Sequence, residues 1–156
     1  MDQAVTHEMP QQARQGLEVS FCPPFRKVGI EEIGASWAFV ERGLQAILDE
    51  CPDEHWTPRD IRRYLREGRA ALFVRADGFV VLERSREPIT SEPYVNVWLM
   101  WFEPEHLKRE EVAAWLDELT KAQACEWWQL SSPRMGWGRY LHGICTHAYT
   151  TWRRYV

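Results

Sequence analysis

The stretch YVNVWLMWF, residues 94–102, decides how the rest of the chain is read. Apolar side chains fill both alternating sets, with Tyr94, Trp98, Met100 and Phe102 on one and Val95, Val97, Leu99 and Trp101 on the other. A strand that is apolar on both faces is covered on both faces, which predicts a central strand. Glu103-Pro104 ends it, because proline has no N–H to give to a ladder. The segment LKREEVAAWLDELTKAQA (107–124) then places Val112, Trp115, Leu116 and Leu119 on one helical stripe. EWWQLS (126–131) returns as a strand, closed by Ser132-Pro133. Strand, helix and strand at this spacing form a βαβ unit, so the two strands are expected to run parallel.

Upstream, ALFVR (71–75) and FVVLER (79–84) flank Ala76-Asp77-Gly78, a hairpin signal. The polar segment 85–93 connects this hairpin to the central strand. Two helices precede it. The first carries Ile33, Trp37, Val40, Leu44, Ile47 and Leu48 on one stripe and stops at Pro52. The second starts with Thr57 as N-cap, Pro58 at the first helical position and Asp60 as a capping-box acid, and ends at Gly68. LEVSF (17–21) alternates as a first strand ended by Cys22-Pro23-Pro24. Residues 1–16 are polar and without period, and read as a flexible tail. Downstream, MGWGRYLH (135–142) reads as a short helix, and THAYTTWRRYV (146–156) as a last strand. The expected order is β-α-α-β-β-β-α-β-α-β, a mixed α/β (α+β) sheet with a parallel joint between strands four and five. Residues 17–156 form one domain in this reading.

The 156 residues, 18.5 kDa, suffice for one real core. No apolar run approaches the roughly 20 residues that span a bilayer, and no basic-then-apolar leader opens the sequence, so a cytoplasmic protein is expected. Cys22, Cys51, Cys125 and Cys145 form no CxxC pair and read as reduced core or surface thiols. A net charge of −4 argues against general nucleic-acid affinity. Nine tryptophans fit a core and a partner interface equally well.

The element order, with two helices before the hairpin, resembles the GNAT superfamily of acyl-CoA-dependent N-acyltransferases over roughly residues 17–156. Within SPRMGWGRYLHGI, Tyr140 precedes Gly143-Ile144 much as a tyrosine in that family precedes a Gly-Phe pair, one residue closer than usual. The tryptophan-bearing central strand, the SPR turn and the GW pair also look like compact GNAT-like proteins of tailed phages and prophages. The resemblance implies acetyl-CoA or CoA as cofactor, held in the gap between strands four and five. The family's pyrophosphate loop, Gln/Arg-x-x-Gly-x-Gly/Ala, uses glycines so that backbone N–H groups converge on the phosphates. Here the corresponding residues 102–109 (FEPEHLKR) contain no glycine, and Glu103, Glu105 and Glu110 oppose an anion. The cofactor-binding residues left by this degenerate loop are Trp101, Phe102, Lys108 and Arg109.

Two functions follow from the resemblance. One is an N-acyltransferase in which Tyr140 is the general acid and Glu83 or Glu103, read as strand-end carboxylates, the general base toward an amine. The other is a protein with little or no catalysis, a phage-type accessory or interaction factor, and the missing glycines favour it. Arg59, Arg62, Arg63 and Arg66 form a basic stripe on the second helix. It is either a solvated face, with Arg63 paired to Glu67, or an anion-binding or protein-docking face. Trp137 is a second candidate contact for a protein partner. His142, Cys145 and His147 lack a second ligand pair at comparable spacing, so no metal is expected. P-loop, GxSxG and zinc-protease motifs are missing.

Overall fold

The computed structural model describes residues 25–103, 109–132, 139 and 141–146. The expected strand at 17–21, the N-terminal tail, the last strand, and Lys108, Trp137 and Tyr140 lie outside the described residues. The elements run β1 (Arg26–Val28), α1 (Ile33–Glu50), α2 (Pro58–Arg66), β2 (Ala71–Arg75), β3 (Gly78–Arg86), β4 (Pro93–Phe102), α3 (Arg109–Ala122) and β5 (Trp128–Leu130). A 3-10 turn, Ile30–Glu32, leads into α1. The strands form one sheet in sequence order, antiparallel throughout except for the parallel β4–β5 pair.

β1 occupies a place the sequence reading passed over. Its three residues include Arg26 and Lys27, both exposed, with Val28 alone buried. So short a strand shows no period, and its charges suit a sheet edge, where they discourage further pairing. It pairs with β2 through Arg26↔Val74, Lys27↔Phe73 and Val28↔Leu72.

Two apolar layers sandwich the sheet, as the two-sided central strand requires. One joins Trp37, Val40, Leu44 and Ile47 of α1 and Ile61 and Leu65 of α2 to Leu72, Phe79, Val81, Leu99 and Trp101. The other joins Val112, Trp115 and Leu116 of α3 to Phe25, Phe73, Val80, Leu82, Val95, Val97 and Met100. Burying each such side chain contributes roughly 1.5–3 kcal/mol.

These memberships correct the strict alternation expected of β4. Val95 and Val97 face α3, yet Leu99 and Trp101 face α1 and α2. The cause is a bulge: Val81 pairs with Leu99 while the next residue, Leu82, pairs with Val97, so Trp98 is the extra residue. One inserted residue swaps the faces of everything beyond it. Trp98 and Trp101 therefore both pack toward the α1–α2 layer, rather than one to each face.

Local chemistry explains the helices. Gly43 interrupts the apolar stripe of α1 because that turn lies on two aromatic rings. A Cβ there would stand 2.5 Å from Phe79 Cε1 and 2.6 Å from Trp101 Cδ2. At the start of α2, Thr57 Oγ1 accepts from the Asp60 N–H, and Asp60 Oδ2 accepts from the Thr57 N–H at 3.0 Å, closing the expected capping box. Between β2 and β3, Arg75 grips Asp77, with Nη2 3.0 Å from Oδ2, and reaches Glu111 of α3 at 3.6 Å. Its guanidinium also lies over Phe25 and Phe102, which ties α3 to the hairpin.

Candidate functional site

β5 pairs with only part of β4. The ladder runs Val95↔Trp128, Asn96↔Gln129 and Val97↔Leu130 and stops. β4 continues from Trp98 to Phe102, and along that stretch its β5-side edge has no strand partner among the described residues. The parting begins at the bulge, which adds local twist to β4 where its parallel neighbour ends. Main-chain donors and acceptors of β4 are therefore left without a ladder partner among the described residues, at a gap in the ladder between the C-terminal ends of two parallel strands. In open α/β sheets that is where ligands bind.

Beside the gap, on the sheet face that α1 and α2 leave half covered, three polar side chains form a row. Glu83 and Asn96 sit opposite each other on β3 and β4, and Asn96 and Gln129 on β4 and β5. Asn96 Nδ2 donates to Glu83 Oε1 at 3.2 Å, and Gln129 Nε2 donates to Asn96 Oδ1 at 3.3 Å. An ionised carboxylate only accepts, so Glu83 fixes the Asn96 amide nitrogen toward itself and its oxygen toward Gln129. The chain of dipoles points at the carboxylate and leaves Glu83 Oε2 without a partner among the described residues.

Aromatic rings flank the row. Tyr94 and Trp127 stack at 4.2 Å with planes 9° apart. On the other side Tyr64 of α2 meets the bulge residue Trp98 at 4.8 Å, with the Arg69 guanidinium 4.0 Å above the Tyr64 ring. A carboxylate between two aromatic pairs is an environment for a cationic, amine-bearing ligand.

The structure separates the two candidate carboxylates. Glu83 lies within β3, between Leu82 and Arg84, and not at a strand end. It stays on the site face because Leu82, its neighbour, is buried against α3. Glu103 follows β4 directly, seven residues beyond Asn96, which at strand spacing puts it about 20 Å from the row. There it is held: its N–H donates to Asp77 O at 2.7 Å and its carboxylate takes Arg42 Nη2 at 2.6 Å. Trp101 is a core residue under α1, 8 % exposed. Phe102 is half-buried on the α3 face, against Phe25. Arg109 opens α3 and donates to Glu110 at 2.6 Å.

On α2, Arg63 pairs with Asp60 at 3.4 Å, not with Glu67, which takes Arg69 instead at 3.7 Å. Arg62 lies over the Trp37 ring at 5.2 Å, and Arg59 and Arg66 are exposed. On β5 and just before it, Trp128 and Trp127 present one ring to each face. Trp127 stacks on Tyr94, while Trp128 joins the α3 layer and donates to Asp117 at 2.8 Å.

The sequence reading missed Asn96 and Gln129, although a signal existed. Each is the one polar residue in a strand segment otherwise apolar, YVNVW and WWQL. A polar side chain inside a central strand must find partners there. Among the described residues no group of three His, Cys, Asp or Glu side chains is placed to hold a metal ion. Nor is any described helix long and apolar enough to cross a membrane.

No family model matches the sequence, and no curated relative matches it. Solved structures do resemble it in three dimensions. The ribosomal-protein-alanine N-acetyltransferase from Brucella melitensis biovar Abortus 2308 superposes with a TM-score of 0.58 at 18 % identity, over 85 % of this chain and 96 % of that one. A predicted acetyltransferase with acetyl-CoA from Clostridium acetobutylicum gives 0.60 at 12 % identity, over 85 % and 94 %. A GCN5-related N-acetyltransferase from Ralstonia eutropha JMP134 gives 0.58 at 14 % identity, over 84 % and 97 %. At such identities the likeness is one of fold, and it places this chain's mixed sheet, with its parallel β4–β5 joint, in the GNAT acetyltransferase fold.

Proposed function

We propose that this protein is an N-acyltransferase that moves an acyl group from a CoA thioester to an amine held against Glu83. The observation that carries the reading is the parting of β4 from β5 at the Trp98 bulge, directly beside the Glu83–Asn96–Gln129 row. The acyl-CoA would supply an activated thioester. Its amide-bearing arm suits the edge of β4 beyond Val97, whose main-chain groups have no strand partner among the described residues. The diphosphate end meets a different donor set: Arg109 at the start of α3, with Lys108 beside it in sequence, in place of glycine amides.

In this reading Glu83 Oε2 takes the proton that an ammonium must lose before its nitrogen can attack. Asn96 and Gln129 hold that carboxylate in place. Tyr64, Trp98, Tyr94 and Trp127 bound the acceptor and exclude water. Tyr140 Oη is the proposed proton donor on the leaving side. Glu103 is tied to Arg42 and to the main chain of Asp77, which suits it to closing the end of β4 rather than to base chemistry.

One observation favours a second reading, a non-catalytic interaction protein of phage type. Residues 102–110 carry three carboxylates, Glu103, Glu105 and Glu110, and no glycine where two phosphates would sit. Its partner, a protein, would use the Arg59–Arg62–Arg63–Arg66 stripe or Trp137. Thermal unfolding with acetyl-CoA and with CoA separates the two. A ligand at about 100 times its Kd stabilises the native state by about 2.7 kcal/mol, raising Tm by about 5–10 °C for a chain of this size. That shift, together with acyl transfer to a panel of amines, is the expected result. No shift at millimolar ligand would overturn the acyltransferase reading in favour of the second.

A further inference from the structure

The hydrogen-bond polarity of the row beside the β4–β5 gap is fixed from its Glu83 end. Glu83 Oε1 accepts from Asn96 Nδ2 at 3.2 Å, so the Asn96 oxygen turns to Gln129 and accepts from its Nε2 at 3.3 Å. The same Gln129 nitrogen meets Tyr94 Oη at 3.5 Å. An amide nitrogen only donates, so the Tyr94 oxygen is the acceptor in that contact and its own proton is directed elsewhere.

Glu83 Oε2, Gln129 Oε1 and the Tyr94 hydroxyl proton are left without a partner among the described residues. Glu83 Oε2 and Gln129 Oε1 are open to solvent, since the one sealed side-chain atom without a partner there is Arg62 Nε. The four side chains of the row are half-buried, while Leu82, Val95 and Val97 between them are buried against α3. Tyr94 is stacked on Trp127 at 4.2 Å, which holds its ring, and so its hydroxyl oxygen, beside Gln129. An acceptor, Gln129 Oε1, and a donor, the Tyr94 O–H, therefore stand side by side. A secondary amide answers that pair, with its N–H to Gln129 and its C=O to Tyr94. Glu83 lies on β3, two strands from Gln129 on β5, about 10 Å across the sheet.

We infer that the acceptor bears a secondary amide as well as its amine, with the ammonium at Glu83 and the amide across Gln129 and Tyr94. This assignment rests on the acyl-transfer reading for the amine at Glu83, while the amide contacts are made on binding, before any chemistry. Tyr94 and Gln129 then select the acceptor, and Asn96 between Gln129 and Glu83 sets which way the Gln129 amide faces. An alkyl chain in the same place would displace water and leave Gln129 Oε1 and the Tyr94 O–H without a partner, which is costly.

The test compares ω-amino N-methylamides of increasing chain length with n-alkylamines of matching length. The N,N-dimethylamides, which keep the carbonyl and lose the N–H, complete the series. Binding to the isotope-labelled full chain is read by NMR at the Gln129 side-chain amide with no acyl-CoA present. Turnover is read separately with acetyl-CoA. One chain length is expected at which the N-methylamide binds about tenfold tighter than the alkylamine, with the dimethylamide between them, because two hydrogen bonds separate the extremes. Tyr94→Phe keeps the ring and its stack on Trp127 but removes the donor. It should weaken that N-methylamide about 3–10-fold more than the alkylamine. No binding of any N-methylamide at about 10 mM, equal binding of amide and alkylamine at every length, or an equal loss for both in Tyr94→Phe would overturn the inference. Turnover decides the other question. Amide-selective binding without acyl transfer would keep the amide site and overturn the acyltransferase reading, whereas acyl transfer indifferent to the amide would do the reverse.

Discussion

Replacing Gly43 by alanine tests the placement of β4 that defines the site. In an open helix the change would stabilise the fold by about 1 kcal/mol, because alanine is the better helix former. Here the new methyl would sit 2.5 Å from Phe79 Cε1 and 2.6 Å from Trp101 Cδ2 and Cε3. Carbon atoms in contact need roughly 3.5–4.0 Å, so about 1 Å must be found. Neither ring can yield it easily. Phe79 is fully buried, and Trp101, 8 % exposed, is held by the edge of Phe39 at 5.8 Å and by Arg42. Overpacking of this kind costs about 1–3 kcal/mol. After the helix gain, a net loss of up to about 2 kcal/mol is expected, lowering Tm by up to about 8 °C. Urea unfolding of Gly43→Ala with and without Trp101→Leu measures the coupling. The smaller leucine should recover at least about 0.5 kcal/mol of the loss. A stabilised Gly43→Ala protein, or a cost indifferent to residue 101, would refute the reasoning. It would mean that Trp101 does not face α1 and that β4 lacks the Trp98 bulge.

Two further predictions concern the row and the cap. Glu83→Gln keeps the shape and a hydrogen bond to Asn96 but removes the base. The kcat/KM for amine acylation should fall by about 10²–10⁴, with stability changed by less than about 0.5 kcal/mol. Undiminished turnover would take Glu83 out of the chemistry. Thr57→Ala should cost about 1 kcal/mol at neutral pH, read by urea unfolding. The hydrogen bond from the Thr57 hydroxyl, and then the one from its backbone N–H, hold the Asp60 carboxyl below its ordinary value. A depressed carboxyl stabilises the fold above that ordinary value, and the contribution is lost as pH falls below about 4. Thr57→Ala should therefore lose less stability on acidification than the parent. An equal or larger acid loss in the variant would contradict the capping box.

Much of this was legible in residues 33–130 because the signals are local. The Thr57-Pro58-x-Asp60 start of α2 carries its own capping chemistry and was found where expected. The Ala76-Asp77 turn needed only its flanking strands. Glu83 was visible as a carboxylate, but the reading put it at a strand end. That followed from ending β3 at Arg84, whereas pairing with β4 carries the strand to Arg86. Asn96 and Gln129 carried a readable signal, their polarity within apolar strands, but nothing local says which residue each will face.

The sequence by itself determined the order of elements from α1 to β5, the burial of β4 on both faces and the cap of α2, because periodicity and capping act within a few residues. Only the tertiary structure decided the faces of β4 and the make-up of the site. The bulge at Trp98 exists through a one-residue offset against β3, a partner more than ten residues away, and it leaves no mark in composition. The same holds for the meeting of Glu83, Asn96 and Gln129, three residues on three strands that share a row only because antiparallel and parallel registers coincide there. Register is a property of pairs of strands, and a single strand's sequence does not contain it.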